Sequence, residues 1–326
     1  MEGCGLPSPD LAILPFRKPM QHIFMRNLFI ASAALFLGIN SLQAQVKVLY
    51  VDPNQTDSAI RKVHSAHVAA YDPGAVSRHE LFLFIPGTGA VASNSVAVDR
   101  VFAGWGYHAI TLDYENDVVA VTFAHSADPT AFERYRNAIV TGAPVCDLVK
   151  VDAANSILNR TQKLLTYLAQ QDPKGGWDQY LKDGQPAWNR IIVGGHSQGA
   201  GHAAYIGKKF ETDAVFMFSG PQDYIADLQK PALWEAGKSA TPSSRYFAFL
   251  SAHDPYNSEH QIASCVSLMQ LSAAKTISVK PGVPVEGDAQ ILVNDISGPR
   301  AHGSTISVQF TNVWQYMLAK KPKSDN

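Results

Sequence analysis

A serine flanked by glycines is the residue with the clearest potential for chemistry. Ser197 lies in the motif Gly195-His196-Ser197-Gln198-Gly199, which has the form G-x-S-x-G. The apolar run at residues 190–193 predicts a strand before it, and the small residues of 198–210 predict a helix after it, which is the context that this motif requires. A sharp strand-to-helix turn exposes the hydroxyl and points the helix N-terminus at a developing negative charge. The motif therefore predicts a nucleophilic serine that attacks a carbonyl carbon.

The elements that must position Ser197 alternate between strand and helix patterns. Short apolar runs predict strands, and apolar residues at helical spacing predict helices between them. The predicted strands are residues 46–51, 81–85, 107–112, 190–193, 214–218, 246–250 and 290–293. The predicted helices are residues 93–105, 146–169, 198–210, 260–271 and 304–318. This alternation predicts an α/β fold, a mostly parallel central sheet with helices on both faces, whose sites lie at the carboxyl ends of the strands.

In this setting the Gly-His-Ser-Gln-Gly sequence resembles the α/β-hydrolase superfamily, and within it the lipase- and esterase-like serine hydrolases. The resemblance covers roughly residues 79–320 and implies an α/β-hydrolase fold. It also implies a catalytic triad in the chain order serine, acid, histidine, with the acid after a later strand and the histidine after the last one. Asp254 and His302 occupy those two positions. His302 is then expected to take the proton of Ser197, and Asp254 to fix the imidazole tautomer.

Other acids and histidines compete for these roles. Asp223 follows the strand at 214–218, where some hydrolases place their acid, and it is the alternative to Asp254. His260 is the alternative to His302, although it follows Asp254 closely and begins a predicted helix. Asp113 ends an earlier strand and is interpreted as a turn or capping carboxylate.

The resemblance also implies an oxyanion hole made of two backbone donors. One is the N–H of Gln198, the residue after the nucleophile, and the other comes from the loop after strand 81–85. That loop reads Pro86-Gly87-Thr88-Gly89-Ala90, in which the glycines allow the backbone to turn toward a ligand. We assign the second donor to the N–H of Thr88, with Gly89 as the alternative.

The implied activity is hydrolysis of a carboxylic ester through an acyl-enzyme, without a cofactor. A small-molecule or lipid-like ester is the expected substrate, and residues 118–144 and 221–244 are expected to cover the site with aromatic side chains. These aromatics are Phe123, Phe132, Tyr135, Tyr224 and Trp234.

Two other function classes compete with ester hydrolysis. A non-catalytic binding protein on the same fold is one alternative. A dinucleotide-binding oxidoreductase is the other, because residues 87–92 fit G-x-G-x-x-A after a strand. That interpretation leaves Ser197, Asp254 and His302 without a role.

Composition excludes several further partners. The formal net charge is -1, and the basic residues are scattered, which argues against nucleic-acid binding. The sequence contains neither H-E-x-x-H nor C-x-x-C, so no metal site is predicted.

The N-terminal region predicts export. Residues 1–44 are interpreted as a signal peptide with an upstream extension, because Arg26 precedes a short apolar run that ends in a polar stretch with Ala44. Residues 45–326 are then one α/β-hydrolase domain, secreted or periplasmic, without a stable membrane span after processing. Cys146 and Cys265 are the two cysteines of that domain, and an oxidising compartment makes a disulfide between them a hypothesis.

Overall fold

A nine-stranded sheet forms the centre of the molecule in the computed structural model, which describes residues 45–144 and 146–322. The predicted signal peptide, residues 1–44, lies outside the described residues, and its prediction is untested. Within the described ranges, no helix combines the length and the apolar character that crossing a membrane requires.

Most strands of the central sheet run in the same direction. The described strands are β1 (Lys47–Val51), β2 (His67–Tyr71), β3 (Leu81–Ile85), β4 (His108–Thr111), β5 (Leu181–Lys182), β6 (Gln185–Pro186), β7 (Ile191–His196), β8 (Ala214–Phe218), β9 (Tyr224–Ile225), β10 (Lys230–Pro231), β11 (Tyr246–Ser251), β12 (Thr276–Ser278) and β13 (Ile291–Asn294). The sheet order is β1-β2-β4-β3-β7-β8-β11-β13-β12. In this sheet β2 runs antiparallel to both of its neighbours, β1 and β4, and the other described pairs are parallel. The pairs β5–β6 and β9–β10 form two separate antiparallel sheets. The predicted mostly parallel sheet is confirmed.

Helices cover both faces of this sheet, as predicted. The described helices are α1 (Pro53–Thr56), α2 (Val96–Gly104), α3 (Ala131–Thr141), α4 (Ile157–Gln171), α5 (Gln198–Lys209), α6 (Ser258–Met269) and α7 (Thr311–Lys320). Alternate residues of β3 point to opposite faces: Leu81, Leu83 and Ile85 pack with α3 to α6, whereas Phe82 and Phe84 pack with α2 and α7. Each face therefore has its own apolar core, which accounts for the uninterrupted apolar sequence of this strand.

Some predicted boundaries were wrong. The predicted helix at 146–169 begins only at Ile157, because the side chain of Ser156 caps it by accepting the N–H of Asn159. The predicted helix at 304–318 begins at Thr311, after short 3₁₀ turns. Strand β2 and helix α3 were not predicted.

The carboxyl ends of five strands place the predicted site residues at one edge of the sheet. The Thr88 loop follows β3, Ser197 follows β7, and Asp223 follows β8. Asp254 follows β11 and His302 follows β13. Because these strands are parallel, all five segments begin at the same edge.

Candidate active site

Ser197 occupies a strained turn between β7 and α5. Its backbone has φ +56° and ψ −122°, in a region that favours glycine, and the residue is 8% exposed. A Cβ on Gly195 would lie 2.1 Å from the carbonyl oxygen of Gly199. A Cβ on Gly199 would lie 2.0 Å from the carbonyl oxygen of Ile85. The two glycines of the motif are therefore required by close backbone contacts around the serine.

His302 and Asp254 form a hydrogen-bonded pair beside this turn. The Nδ1–H of His302 donates to Oδ2 of Asp254 at 2.8 Å, and the Tyr256 N–H donates to Oδ1 at 2.9 Å. Burial by itself raises the pKa of Asp254, but these two hydrogen bonds bring that pKa below its ordinary value. Asp254 is therefore an ionised, buried carboxylate that holds His302 in the tautomer with a free Nε2.

The loop that carries His302 is hydrogen-bonded to the carboxyl ends of β7 and β8. The His302 carbonyl accepts the Nε2–H of His196 at 3.0 Å and the hydroxyl of Ser219 at 2.6 Å. Burial, and then the nearby His302, lower the pKa of His196 to about 4, so His196 is a neutral donor. These contacts hold the His302 loop against the residue that precedes Ser197.

The hydroxyl of Ser197 has a partner other than His302. Gln222 donates its Nε2–H to Ser197 Oγ at 3.3 Å. Among the described residues, no hydrogen bond joins His302 to Ser197. Such bonds are commonly long in free enzymes and shorten when substrate binds.

Asp223 and His260, the alternatives to Asp254 and His302, contact other side chains. Asp223 accepts two hydrogen bonds from the Arg136 guanidinium, at 2.5 and 3.0 Å, and one from Trp234 Nε1 at 3.0 Å. The ring of His260 stacks on Tyr224 with centroids 3.6 Å apart. Neither residue hydrogen-bonds to His302.

Asp113 lies away from His302 and is held by an arginine and by backbone N–H groups. It accepts hydrogen bonds from Arg160 at 2.9 Å and from the Ser65 N–H at 2.9 Å, and both charged side chains are buried. This geometry fits the interpretation of Asp113 as a turn carboxylate.

The two predicted oxyanion donors have free backbone N–H groups. Among the described residues, the N–H groups of Thr88 and Gln198 donate to no protein acceptor, whereas the Gly89 N–H donates to the Asn116 carbonyl at 3.3 Å. The Thr88 hydroxyl donates to Oε1 of Gln198 at 2.7 Å, which links the two residues through their side chains. The arrangement favours Thr88 over Gly89.

Residues that the sequence reasoning missed hold this loop and the α5 N-terminus. Asn116 donates to the carbonyls of Gly87 and Ala90, and Tyr114 donates to the carbonyl of Pro86 at 2.8 Å. Both follow β4, so their place after a predicted strand was the available signal. Arg136 of α3 donates to the Gln198 carbonyl at 2.7 Å, and no sequence motif marks it.

A cluster of possible cation ligands lies at the loop after β4. Among the described residues, ligand atoms of His64, Glu115 and Asp117 lie within 4.8 Å of one another. The ammonium of Lys62 already lies 2.6 Å from Glu115. This cluster is therefore interpreted as an ion-paired loop.

The hypothesis of a disulfide is wrong for this structure, in which Cys146 and Cys265 are both free and buried. The two thiols have different neighbours: Cys146 Sγ accepts the Leu148 N–H at 3.3 Å, and Cys265 Sγ lies 3.8 Å from the Gly220 carbonyl oxygen. Each is a small buried side chain in the apolar core between the sheet and helices α3 to α6.

Comparison with known proteins finds similar solved structures but no relative by sequence. No protein-family model matches the chain, and no curated protein matches it. A candidate dienelactone hydrolase from Klebsiella pneumoniae is a structural match at 10% identity and TM-score 0.44, covering 84% of this chain and 98% of the other. The protein TT1662 from Thermus thermophilus matches at 14% identity and TM-score 0.44, covering 84% of this chain and 97% of the other. Within the described residues, the mostly parallel sheet with helices on both faces and the strand–serine–helix turn from β7 to α5 agree with the α/β-hydrolase fold that the sequence predicts.

Proposed function

We propose that this chain is a serine hydrolase that cleaves a carboxylic ester through an acyl-enzyme. The observation that carries the proposal is one arrangement at the edge of the sheet. A serine in strained backbone geometry ends β7, and a histidine held by a buried carboxylate at 2.8 Å lies on the loop packed against that turn. Strain of this kind, about 1–3 kcal/mol per residue, persists where the surrounding structure enforces it and is concentrated at functional sites.

The proposed acylation step moves one proton and exchanges one bond. Ser197 Oγ forms a bond to the ester carbonyl carbon while its proton passes to Nε2 of His302. The N–H groups of Thr88 and Gln198 hold the oxygen that becomes negative. His302 then gives the proton to the leaving alcohol oxygen as the carbon–oxygen bond breaks.

Deacylation repeats the sequence with water. His302 accepts a proton from water, whose oxygen bonds to the acyl carbon, and the same proton returns to Ser197 Oγ as the acid leaves. Asp254 stabilises the positive imidazolium in both steps because it stays ionised.

Most of the aromatic side chains expected to cover the site pack the core instead, so they do not define the substrate. Phe132, Tyr135 and Trp234 are buried in the apolar core, so they pack the scaffold. Tyr256 is 46% exposed, and its ring packs edge-on against the ring of His302, with the two ring centroids 4.7 Å apart. We therefore propose that Tyr256 contacts the apolar part of the leaving group.

A fluorophosphonate label combined with an ester panel tests the proposal. We expect the label on Ser197, hydrolysis of short 4-nitrophenyl esters, and loss of both in a folded Ser197→Ala variant. The loss in turnover is expected to be on the order of 10⁶-fold, as for a nucleophile in a known triad. An unlabelled, folded wild-type protein would favour the non-catalytic binding alternative.

Export of the chain is a separate proposal that depends on residues 1–44 alone. Expression with the natural N-terminus in a bacterial host, followed by N-terminal sequencing of the exported protein, is expected to give Gln45 as the first residue. Retention of the uncleaved chain with the cell would contradict it.

A further inference from the structure

Gln222 is the residue that contacts the proposed nucleophile. Its side-chain amide donates to Ser197 Oγ at 3.3 Å, and the two residues are 7% and 8% exposed. Among the described residues, no other group hydrogen-bonds to this hydroxyl. No motif in the sequence marks Gln222.

The sheet order places Gln222 opposite the oxyanion loop. Strand β7, which carries Ser197, lies between β3 and β8. The Thr88 loop follows β3, whereas Gln222 follows β8 on the other side of the nucleophile. An ester whose carbonyl oxygen lay in the oxyanion hole would therefore present its opposite side to the Gln222 amide.

The segment that carries Gln222 is held rigidly. A Cβ on Gly220 would lie 2.7 Å from the Ser197 carbonyl oxygen, so this backbone is packed directly against the nucleophile turn. On one side, Ser219 is anchored to the carbonyl of the His302 loop at 2.6 Å. On the other, Asp223 is held by the paired hydrogen bonds from Arg136. The Gln222 backbone is thus fixed on both sides, beside the Ser197 turn.

Acylation changes the acceptor that Gln222 faces. In the free protein Ser197 Oγ is an alcohol oxygen and accepts the amide N–H. In the acyl-enzyme that oxygen belongs to an ester, whose lone pair is delocalised into the carbonyl, and it becomes a poor acceptor. A buried donor without an acceptor is unfavourable, so a plain alkanoyl group leaves the amide unsatisfied. An oxygen on the carbon chain close to the carbonyl restores the hydrogen bond.

We propose that Gln222 is a specificity residue that selects acyl groups carrying an alkoxy or hydroxyl oxygen near the scissile carbonyl. This inference rests on the proposed function, and it names the substrate class: esters of alkoxy- or hydroxy-acids in preference to esters of simple fatty acids. Sites built to hydrogen-bond a substrate group discriminate strongly against analogues that lack it.

The test uses two esters of equal chain length. 4-Nitrophenyl methoxyacetate differs from 4-nitrophenyl butanoate by one ether oxygen in place of a methylene. The ratio of their kcat/KM values, divided by the ratio of their rates with hydroxide, removes the difference in intrinsic reactivity. We expect a corrected ratio of about ten or more for the wild-type protein, and a ratio near one for Gln222→Met, which keeps the length of the side chain without its donor.

A matched control and a second variant keep the test decisive. Gln170→Met makes the same exchange on the exposed face of α4 and is expected to keep the wild-type ratio. If Gln222→Met does not fold, Gln222→Leu also removes the donor, without adding a titratable group, and is expected to lose the preference as well. No hydrolysis of either ester would contradict the proposed function. Hydrolysis with a wild-type ratio near one, or a ratio that neither Gln222 variant lowers, would overturn this inference and leave the serine hydrolase standing.

Discussion

Two buried carboxylates near the site differ in what their partners can do. Asp254 faces an imidazole, which can take up a proton as a general base, so the charge of Asp254 can stabilise the imidazolium as it forms. Asp223 faces the guanidinium of Arg136, which stays charged at every accessible pH. Arg136 in turn donates to the Gln198 carbonyl. Asp223 therefore stabilises the scaffold under Ser197, whereas Asp254 is the acid that fits the proposed reaction.

Replacing each acid by its amide separates the two roles. Asp254→Asn is expected to lower kcat by about 10⁴-fold, because the amide favours the wrong tautomer of His302. Asp223→Asn is expected to lower the free energy of unfolding by about 3–5 kcal/mol, because it leaves a buried guanidinium unpaired. Measurement of kcat and of denaturant unfolding on both variants checks this. The reverse pattern would assign the acid to Asp223.

The side-chain link between Thr88 and Gln198 is expected to set the spacing of the oxyanion donors. Thr88→Val keeps the shape of the side chain but removes the hydroxyl that donates to Gln198 at 2.7 Å. We expect kcat to fall about ten-fold with little change in KM, since the N–H groups are needed most in the transition state. Thr88→Ser, which retains the hydroxyl, is the control, and an equal loss in both variants would argue against the link.

At the scale of elements, the sheet was predictable where the strands are buried on both faces. Strands β3 and β8 have the predicted bounds, because an uninterrupted apolar run of five residues leaves little ambiguity. Helix α3 was missed because it buries polar as well as apolar groups, Arg136 among them. Burial of an arginine depends on a partner distant in sequence, here Asp223. Such pairs are not visible in local periodicity.

The same limit applies to the candidate site. Ser197 is marked by a local motif, and the position of Asp254 and His302 follows from the order of the strands. Gln222 and Asn116 contact the site only because β8 and β4 bring them there. A glutamine or an asparagine after a strand is common in any α/β protein, so composition alone gives no reason to select either.

The close backbone contacts of the glycines around Ser197 predict how much an added methyl group lowers stability there. Gly199→Ala is expected to destabilise the protein by more than about 4 kcal/mol or to prevent folding, because the new Cβ would meet the carbonyl oxygens of Ile85 and Pro86 at 2.0 and 2.6 Å. Gly104→Ala, at the end of α2, meets no atom within 4 Å and is expected to be neutral or stabilising by about 0.5–1 kcal/mol. Thermal unfolding of the two variants measures the contrast, and similar values would contradict it.

For the whole molecule, buried titratable groups couple folding to pH in opposite directions. Burial lowers the pKa of His67 to about 3 and holds that of His202 well below its ordinary value. Burial raises the pKa of Asp99 to about 8 and that of Glu235 well above its ordinary value. Histidines of this kind destabilise the fold as pH falls, and carboxyls of this kind destabilise it as pH rises. The pH dependence of the wild-type protein alone is a sum from which no single group can be identified.

Comparing the wild-type protein with a variant that lacks His202 isolates the contribution of this histidine to the pH dependence of stability. His202 is buried, its two ring nitrogens have no hydrogen-bond partner among the described residues, and it contacts Tyr114 and Tyr135 through its ring. Its folded-state pKa lies below the unfolded value of 6.5, so the unfolded chain binds the extra proton as pH falls through 6.5. Stability due to this group is therefore complete above pH 6.5 and is lost progressively below it.

The expected result is a difference that grows with acidity. Between pH 6.5 and pH 5 the wild-type protein should lose about 2 kcal/mol more unfolding free energy than His202→Leu, at about 1.4 kcal/mol per pH unit. Urea unfolding at several pH values, with the m-values compared, measures that difference. Leu164→Ala is the control, because it removes buried apolar volume without a titratable group and is expected to lower stability equally at each pH. A constant offset between wild type and His202→Leu across this range would mean that His202 titrates alike in the folded and unfolded chain, so its burial would not couple folding to pH.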